Sequence, residues 1–282
     1  MTDIRQSPPF AAFMKDLNWR SAKIGSVHVY LKKFPLFGHF AKIPRTEKYF
    51  SANQFKNLYK QCRIFRLKIA PYLKVQDKNA EPYKRKLLNS GFKIEHSPFN
   101  PTTTIQIDLT QKEETIFNSF AEAKRRGVRR AVKNGITVKE THDLEAFIKI
   151  RKQQYKLISF LITKEMKMLW KNFHPRHAAL LLAYSTQQSS RKPLAGILLL
   201  MYDKVAYYWY ASALKEGKKL FAPTLLVWEA LRTAKSRGCR IFDFEGICDD
   251  RFPKASLTWK GFTKFKEGFG GKKIIFLENF LK

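Results

Sequence analysis

Strand-like runs and runs at helical spacing alternate along this chain in two successive halves, which restricts it to an α/β architecture more tightly than any other feature. In the first half, residues 27–31 and 40–43 read as strands joined through Pro35 and Gly38. Residues 51–63 carry Phe55, Leu58, Tyr59 and Cys62 at helical spacing behind a Ser51 cap. A strand over 64–69, a short helix over 83–88 closed by Gly91, and a Thr- and Ile-rich strand over 104–109 follow. In the second half, Thr110 with Glu113 three residues on predicts a capping box and a helix reaching Asn134-Gly135. Further helices are predicted from Asp143 to about Ser159 and over 164–173, then strands over 178–184, 194–202 and 205–211. A helix over 224–237 stops at Gly238, and residues 240–245 form a strand. The expectation is two related α/β (α+β) units, with mixed sheets flanked by helices and a boundary near residue 108.

Charge narrows the partners. Fifty-four Lys and Arg against 23 Asp and Glu leave a formal +31, in a chain that is still 44% hydrophobic and 14% aromatic. A disordered polycation lacks that apolar content, so a folded protein with a positive field is expected to meet an anion. The phosphates of RNA, a nucleotide diphosphate, and a lipid pyrophosphate on an anionic membrane all fit. The three cysteines, Cys62, Cys239 and Cys248, form no CxxC pair, which points to a reducing cytosol. No secretory leader opens the sequence, and the longest apolar stretch, 194–202, is half of what spans a bilayer. A cytoplasmic monomer, able to rest a basic face on the inner membrane surface, is expected.

The charge is densest over 124–133, where Lys124, Arg125, Arg126, Arg129, Arg130 and Lys133 are six of ten residues. At about 100° per residue the four arginines and Lys133 share one arc, with Phe117, Phe120, Ala121, Val128 and Ala131 opposite. Arginine forks suit phosphate oxygens, and only Glu122 offers a nearby negative charge. Lys124 falls on the apolar side, where it either snorkels or points into a cleft.

Nucleophile elbow, HExxH, P-loop and GxGxxG motifs are all missing. His174 and His177 have no third ligand nearby, and a loop explains Asp249-Asp250 more simply than a cation does. Transfer of an already activated acyl group to an amine needs no metal and no bound cofactor. It requires only positioning and stabilisation of an oxyanion.

The C-terminal half is the most specific part. Residues 205–211 (VAYYWYA) lead through Gly217 and Pro223 into Leu225-Leu226-Val227-Trp228-Glu229-Ala230, then Ala234-Lys235-Ser236-Arg237-Gly238 and Phe242-Asp243-Phe244-Glu245-Gly246. Phe265-Lys266-Glu267-Gly268-Phe269-Gly270 closes the series as an FKxxFG element. Arg5-Gln6-Ser7 with Phe13 and Trp19, Ile43-Pro44-Arg45, and residues 104–109 running into the arginine-rich helix precede them in order. Together these resemble the FemABX family of aminoacyl-tRNA-dependent peptidyltransferases of peptidoglycan bridge synthesis, although Thr46-Glu47 replaces the Gly-Pro of the family's iPRGP. The resemblance implies tandem GNAT-like domains, the first over 1–108 and completed by 273–282 through a strand at 273–276, the second over 109–272. It also implies transfer of an amino acid from aminoacyl-tRNA to the amine of a UDP- or lipid-linked muropeptide. Phe265 and Lys266 are then the catalytic pair. Lys124, Arg125, Arg126, Arg129, Arg130, Arg45, Tyr208 and Tyr210 are candidate substrate contacts, and Asp108, Asp243 and Glu245 are candidate proton acceptors.

Two alternatives share parts of this pattern. An acyl-CoA-dependent GNAT-type N-acyltransferase would cradle a pyrophosphate at a helix start, but residues 215–223 lack paired small residues and Pro223 removes an amide donor. A non-catalytic RNA-binding protein explains the charge and the stackable rings of 207–210, yet no RNP, KH or zinc-finger signature is present.

Overall fold

Ser7 accepts a hydrogen bond from the Phe10 amide and, with Pro8 at the first helical position, starts helix α1 (Pro8–Asp16). A meander follows, β1 (Arg20–Ile24), β2 (Val27–Phe34) and β3 (Gly38–Thr46). Helix α2 (Ala52–Cys62) is opened by a reciprocal capping box between Ser51 and Gln54. Strand β4 (Ile64–Pro71), helix α3 (Ala80–Asn89) and the short β5 (Lys93–Ile94) complete this stretch. Val29, Leu31, Ala41, Ile43, Leu67 and Ile69 alternate onto one face and pack with Phe55 and Leu58 of α2.

The computed structural model describes residues 1–154, 159–187 and 192–282. These divide into two compact units: Met1–Thr104 with Gly246–Lys260 and Lys273–Lys282, and Ile105–Glu245 with Gly261–Lys272. Segment Gly246–Lys260, expected in the second domain, therefore groups with the first. The reason is Asp249, a buried carboxylate that accepts from the hydroxyls of Thr102 (2.5 Å) and Thr103 (2.8 Å) and from Arg251 (2.7 Å).

In the second stretch β6 (Thr103–Asp108) leads to α4 (Glu113–Asn118) and α5 (Glu122–Lys133). The expected capping box at Thr110 does not form. The Thr110 amide and hydroxyl bond back to Asp108, and Lys112 is the N-cap. The single helix expected here breaks between Asn118 and Glu122, where Phe120 turns into the core. Next come β7 (Ile136–Thr141), α6 (Leu144–Gln154), α7 (Ser159–Phe173), β8 (Ala178–Ser185), β9 (Ala195–Tyr202) and β10 (Val205–Ala213). The helix expected from Asp143 to about Ser159 is described only as far as Gln154; residues 155–158 lie outside the described residues, and α7 starts at Ser159. Short α8 (Lys215–Lys219) precedes α9 (Ala222–Ser236), and β11 (Ile241–Gly246) precedes α10 (Pro253–Ser256), α11 (Lys260–Glu267), β12 (Lys272–Ile275) and β13 (Phe280–Leu281).

One sheet has the order β1-β2-β3-β4-β13-β5, the other β12-β6-β11-β10-β9-β8-β7. The strand expected near 273–276 thus edges the second sheet, and the first is completed instead by β13, whose Phe280 faces Ile69 on one side and Ile94 on the other. Among the described residues no helix is long and apolar enough to cross a membrane.

Candidate active site

The second sheet opens at one place. Strand β10 pairs in parallel with β11 only from Val205↔Ile241 to Tyr207↔Asp243, although β10 runs on to Ala213 and β11 to Gly246. Beyond Tyr207 the two strands part. On its other edge β10 carries a bulge: Tyr208 faces Leu199 and Tyr210 faces Leu198, leaving Trp209 as the extra residue. A bulge adds twist and re-aims the side chains that follow it.

The bulge also separates two tyrosines that plain alternation would put on one face. Tyr208 lies with Phe242 and Phe244 (ring centroids 6.3 and 5.5 Å). Tyr210 sits against Arg151 of α6, whose guanidinium is 4.4 Å from its ring, and donates its hydroxyl to Glu165 of α7 at 2.6 Å. Burial and the Glu165 charge hold the Tyr210 phenol far above its ordinary pKa. Tyr208 therefore stays with the site, while Tyr210 is fixed on the opposite face as a structural donor. Arg151 and Glu165, which hold it, went unnoticed in the sequence because nothing in their spacing marks them.

Helix α11 brings up the FKxxFG element. Phe262, Phe265, Lys266 and Phe269 recur at i, i+3, i+4 and i+7, a helical signal that reveals Phe262 as a further wall of the site. Phe269 is fully buried and meets Phe120, Phe244 and Phe265 at 5.2, 5.8 and 5.2 Å. That anchor turns Lys266 inward, only 7% exposed, with Nζ 5.0 Å from the Phe262 ring and 5.7 Å from the Tyr208 ring. Burial pushes the Lys266 ammonium down to about 8, and the charges of Glu245 and Asp243 pull in the opposite direction. At neutral pH the group is thus mostly a cation, close to its titration point, beside two carboxylates.

Lys124 meets the same element from α5. Its Nζ lies 3.9 Å from the Phe265 ring and 5.1 Å from Phe269, and desolvation lowers it to about 8 as well. Gly268 makes room for it: a Cβ there would stand 2.6 Å from Lys124 Cε. The Gly268 carbonyl also accepts from the Ala121 amide that opens α5 (2.9 Å). Of the two orientations open to Lys124, the one taken is inward, against the FKxxFG rings.

The arginines of α5 divide. Arg125 folds back onto the Asn118 (2.9 Å) and Phe120 carbonyls and closes the α4–α5 junction. Arg126 pairs with Glu122 one turn earlier (3.3 Å), a solvent-exposed pair. Arg129 lies over Phe117 (5.9 Å) and Arg130 over Phe221 (5.7 Å), both exposed. Arg129 and Arg130 still present cations outward, whereas Arg125 serves the fold.

The three carboxylates also differ. Asp243 is buried and accepts from Gln106 Nε2 (2.8 Å) and from the Glu245 amide (2.7 Å). It thereby holds Glu245 in a left-handed conformation (φ 60°) next to the parting strands. Asp108 stands elsewhere. The neighbouring Leu109 amide bonds the Arg240 carbonyl, so Asp108 belongs to the far end of β11, about 13 Å along the strand from Glu245. Its exposed carboxylate is held below the usual range by the Thr110 hydroxyl and amide, so it is a turn cap rather than a proton acceptor.

Arg45 is an internal residue of the first unit. It is 5% exposed, stacks 4.2 Å over Phe276, donates to the Pro101 carbonyl, and has Nε 4.0 Å from Asp3. The sequence read it as a substrate contact; its guanidinium is buried, with Nη2 donating to Pro101 and Nε and Nη1 without a hydrogen-bond partner.

Two mixed sheets flanked by helices, each holding a parallel pair (β3 with β4, β10 with β11), the second of which parts beside a bulge, define a tandem GNAT-like fold. Residues 165–280 match the FemAB family model, in agreement with the resemblance carried by the motifs of the C-terminal half. The chain is similar to the crystal structure of FemX (TM-score 0.78, 17% identity, 99% of this chain and 92% of that one). It is similar in fold to the C-terminal domain of a putative lysylphosphatidylglycerol synthetase from Agrobacterium fabrum (TM-score 0.56, 12% identity, covering 99% and 88%). A tandem GNAT protein from the clavulanic acid biosynthesis pathway also shares the fold (TM-score 0.55, 11% identity, covering 92% and 80%). No curated protein sequence matches the chain.

Proposed function

We propose that this protein is a cytoplasmic acyltransferase that moves an amino acid from aminoacyl-tRNA to the amine of a peptidoglycan precursor peptide. The observation that carries the reading is the buried Lys266 ammonium, held by the FKxxFG element where β10 and β11 part. The FemAB match over 165–280 includes both features.

In this reaction the acceptor amine attacks the ester carbonyl, the carbonyl oxygen gains negative charge, and collapse releases the ribose hydroxyl with formation of an amide. The amine gives up a proton as it attacks, and the ribose oxygen takes one as it leaves. Lys266, mostly protonated at pH 7, offsets the charge on the developing oxyanion or the departing oxygen. Glu245 is the carboxylate beside it that accepts the amine's proton, and Asp243 positions it. The rings of Phe262, Phe265 and Tyr208 exclude water, which strengthens each of these interactions. Arg129, Arg130 and the overall +31 would draw in the phosphates of both reactants.

The test is a transfer assay with purified protein, a panel of charged tRNAs, and UDP-linked or lipid-linked muropeptide. Peptide extended by one residue is expected with at least one charged tRNA. N-acetylation of the acceptor amine by acetyl-CoA, with release of the CoA thiol and no extension from any charged tRNA, would overturn the donor assignment.

A further inference from the structure

We propose that the turn between β2 and β3 is an interfacial anchor that inserts into an anionic lipid bilayer. Among the described residues ten large hydrophobic side chains are exposed, and four of them meet here: Phe34, Leu36, Phe37 and Phe65. Leu36 is 96% exposed and Phe37 72%, while Phe34 and Phe65 are a little under half exposed. Phe65 gathers the other two rings, with centroids 5.8 Å from Phe34 and 6.1 Å from Phe37. Scattered exposed apolar residues are ordinary, but a contiguous cluster at a protruding turn marks a contact surface.

The turn is held firmly although its tip residues Leu36 and Phe37 are mostly exposed. Phe34↔Gly38 is the last rung of the hairpin, and the Phe37 amide donates to the Pro35 carbonyl (2.9 Å). Leu36 adopts a left-handed conformation (φ 70°) that an aliphatic side chain seldom takes. Gly38 (φ 98°) lets the turn close on β4: a Cβ there would stand 2.1 Å from the Arg63 carbonyl, which also accepts from the His39 amide (2.9 Å). The backbone thus presents Leu36 and Phe37 outward in a fixed pose.

Charge selects the occupant. From Leu17 to Gln76 the chain has thirteen Lys and Arg and one acidic residue, Glu47. Lys33 and Arg66, both exposed, are the sequence neighbours of Phe34 and Phe65, and exposed Arg63 lies two residues before Phe65. An apolar point on a segment rich in cations and nearly free of carboxylates matches a surface of anionic headgroups over hydrocarbon. Two modest signals combined, insertion and charge, give reversible attachment there.

The experiment is co-sedimentation of the full chain with sucrose-loaded vesicles of phosphatidylglycerol and phosphatidylcholine in equal parts, against phosphatidylcholine alone. Binding is expected on the anionic vesicles, with affinity at least tenfold lower for the Leu36→Ser, Phe37→Ser double variant. A Phe37→Trp variant is expected to gain emission that brominated acyl chains quench, a readout that does not depend on the stability of the serine variant. Binding unchanged by the serine substitutions but lost on Lys33→Glu with Arg66→Glu would reduce the contact to electrostatic adsorption and overturn the anchor. Self-association abolished by the serine variant, with no vesicle binding, would assign the turn to a protein contact and overturn it too. Vesicle binding is read without any transfer reaction, and the serine variant should keep transfer to a UDP-linked acceptor. Failure here is thereby distinguishable from failure of the transferase reading.

Discussion

The ammonium of Lys124 rests 3.9 Å above the centre of the Phe265 ring, joining the basic helix α5 to the first residue of the FKxxFG element. The contact puts one cation behind the rings that enclose another, Lys266. The two lysines are perturbed alike by burial, yet they make different contacts, and their substitutions should have different effects.

On the proposed mechanism, replacing Lys266 by Met removes the cation that offsets charge on the reacting carbonyl. A loss of about 10²–10³ in kcat is expected, the scale of a deleted oxyanion donor. Binding of charged tRNA, measured by filter retention, should change little. The wild-type kcat/KM profile should fall on the alkaline side with a pKa of about 8, because the useful form is the protonated one and burial lowers its pKa. That limb should vanish from the residual activity of Lys266→Met and persist in Lys124→Met. A limb lost in both variants would refute the assignment to Lys266.

Gly268→Ala should be costly only because of Lys124. All three nearest contacts of the added methyl are with that side chain, beginning at 2.6 Å. In the wild-type background an overpacking cost of about 1–3 kcal/mol is expected. With Lys124→Ala already present the clash is gone, and most of that cost should disappear. Urea denaturation of the four proteins of the cycle measures the coupling.

Asp249 ties the 246–260 segment to Thr102 and Thr103. Burial alone would raise its pKa, but the hydrogen bonds from Arg251, Thr102 and Thr103 outweigh burial and hold the carboxyl well below the usual range. A carboxylate with a depressed folded-state pKa contributes stability above its unfolded pKa and loses it as the pH falls through the folded value. Asp249→Asn should therefore cost about 2–3 kcal/mol at pH 7, the worth of hydrogen bonds to a charged group. The difference from wild type should shrink as the pH drops below about 4. Chemical denaturation at pH 7 and pH 3 checks both the size and the sign.

Tyr210→Phe should behave as a stability variant and not a catalytic one. It deletes the 2.6 Å hydrogen bond to Glu165 on the face of the sheet opposite Tyr208. A cost of about 1.5–3 kcal/mol is expected with kcat nearly unchanged. A selective fall in kcat at undiminished melting temperature would return Tyr210 to the site.

Much of the fold was legible because periodicity and breakers agree where burial is one-sided. The Ser51 cap and the Gly238 stop are local signals, and both α2 and α9 lie where those signals put them. Helix α1, β1 and β7 were not read. Strand β1 is mostly exposed and rich in cations, so it shows no apolar alternation. The site was legible as a set of motifs and illegible as geometry. Nothing in VAYYWYA announces that Trp209 is a bulge, and without that knowledge Tyr208 and Tyr210 appear as neighbours on one face. Arg125 was misjudged for a related reason: an arginine in a basic stretch reads as a surface cation until the carbonyls it folds onto are located.

The place of β13 bears on how the molecule is made. Phe280 and Leu281 lie between β4 and β5, strands that leave the ribosome nearly two hundred residues earlier. During synthesis the first sheet waits with that slot unfilled until Phe280 and Leu281 have been made, whereas Ile105–Glu245 is already available to collapse. The N-terminal unit is thus the later of the two to mature, and until Phe280 arrives it offers two open strand edges to whatever chaperone attends the nascent chain.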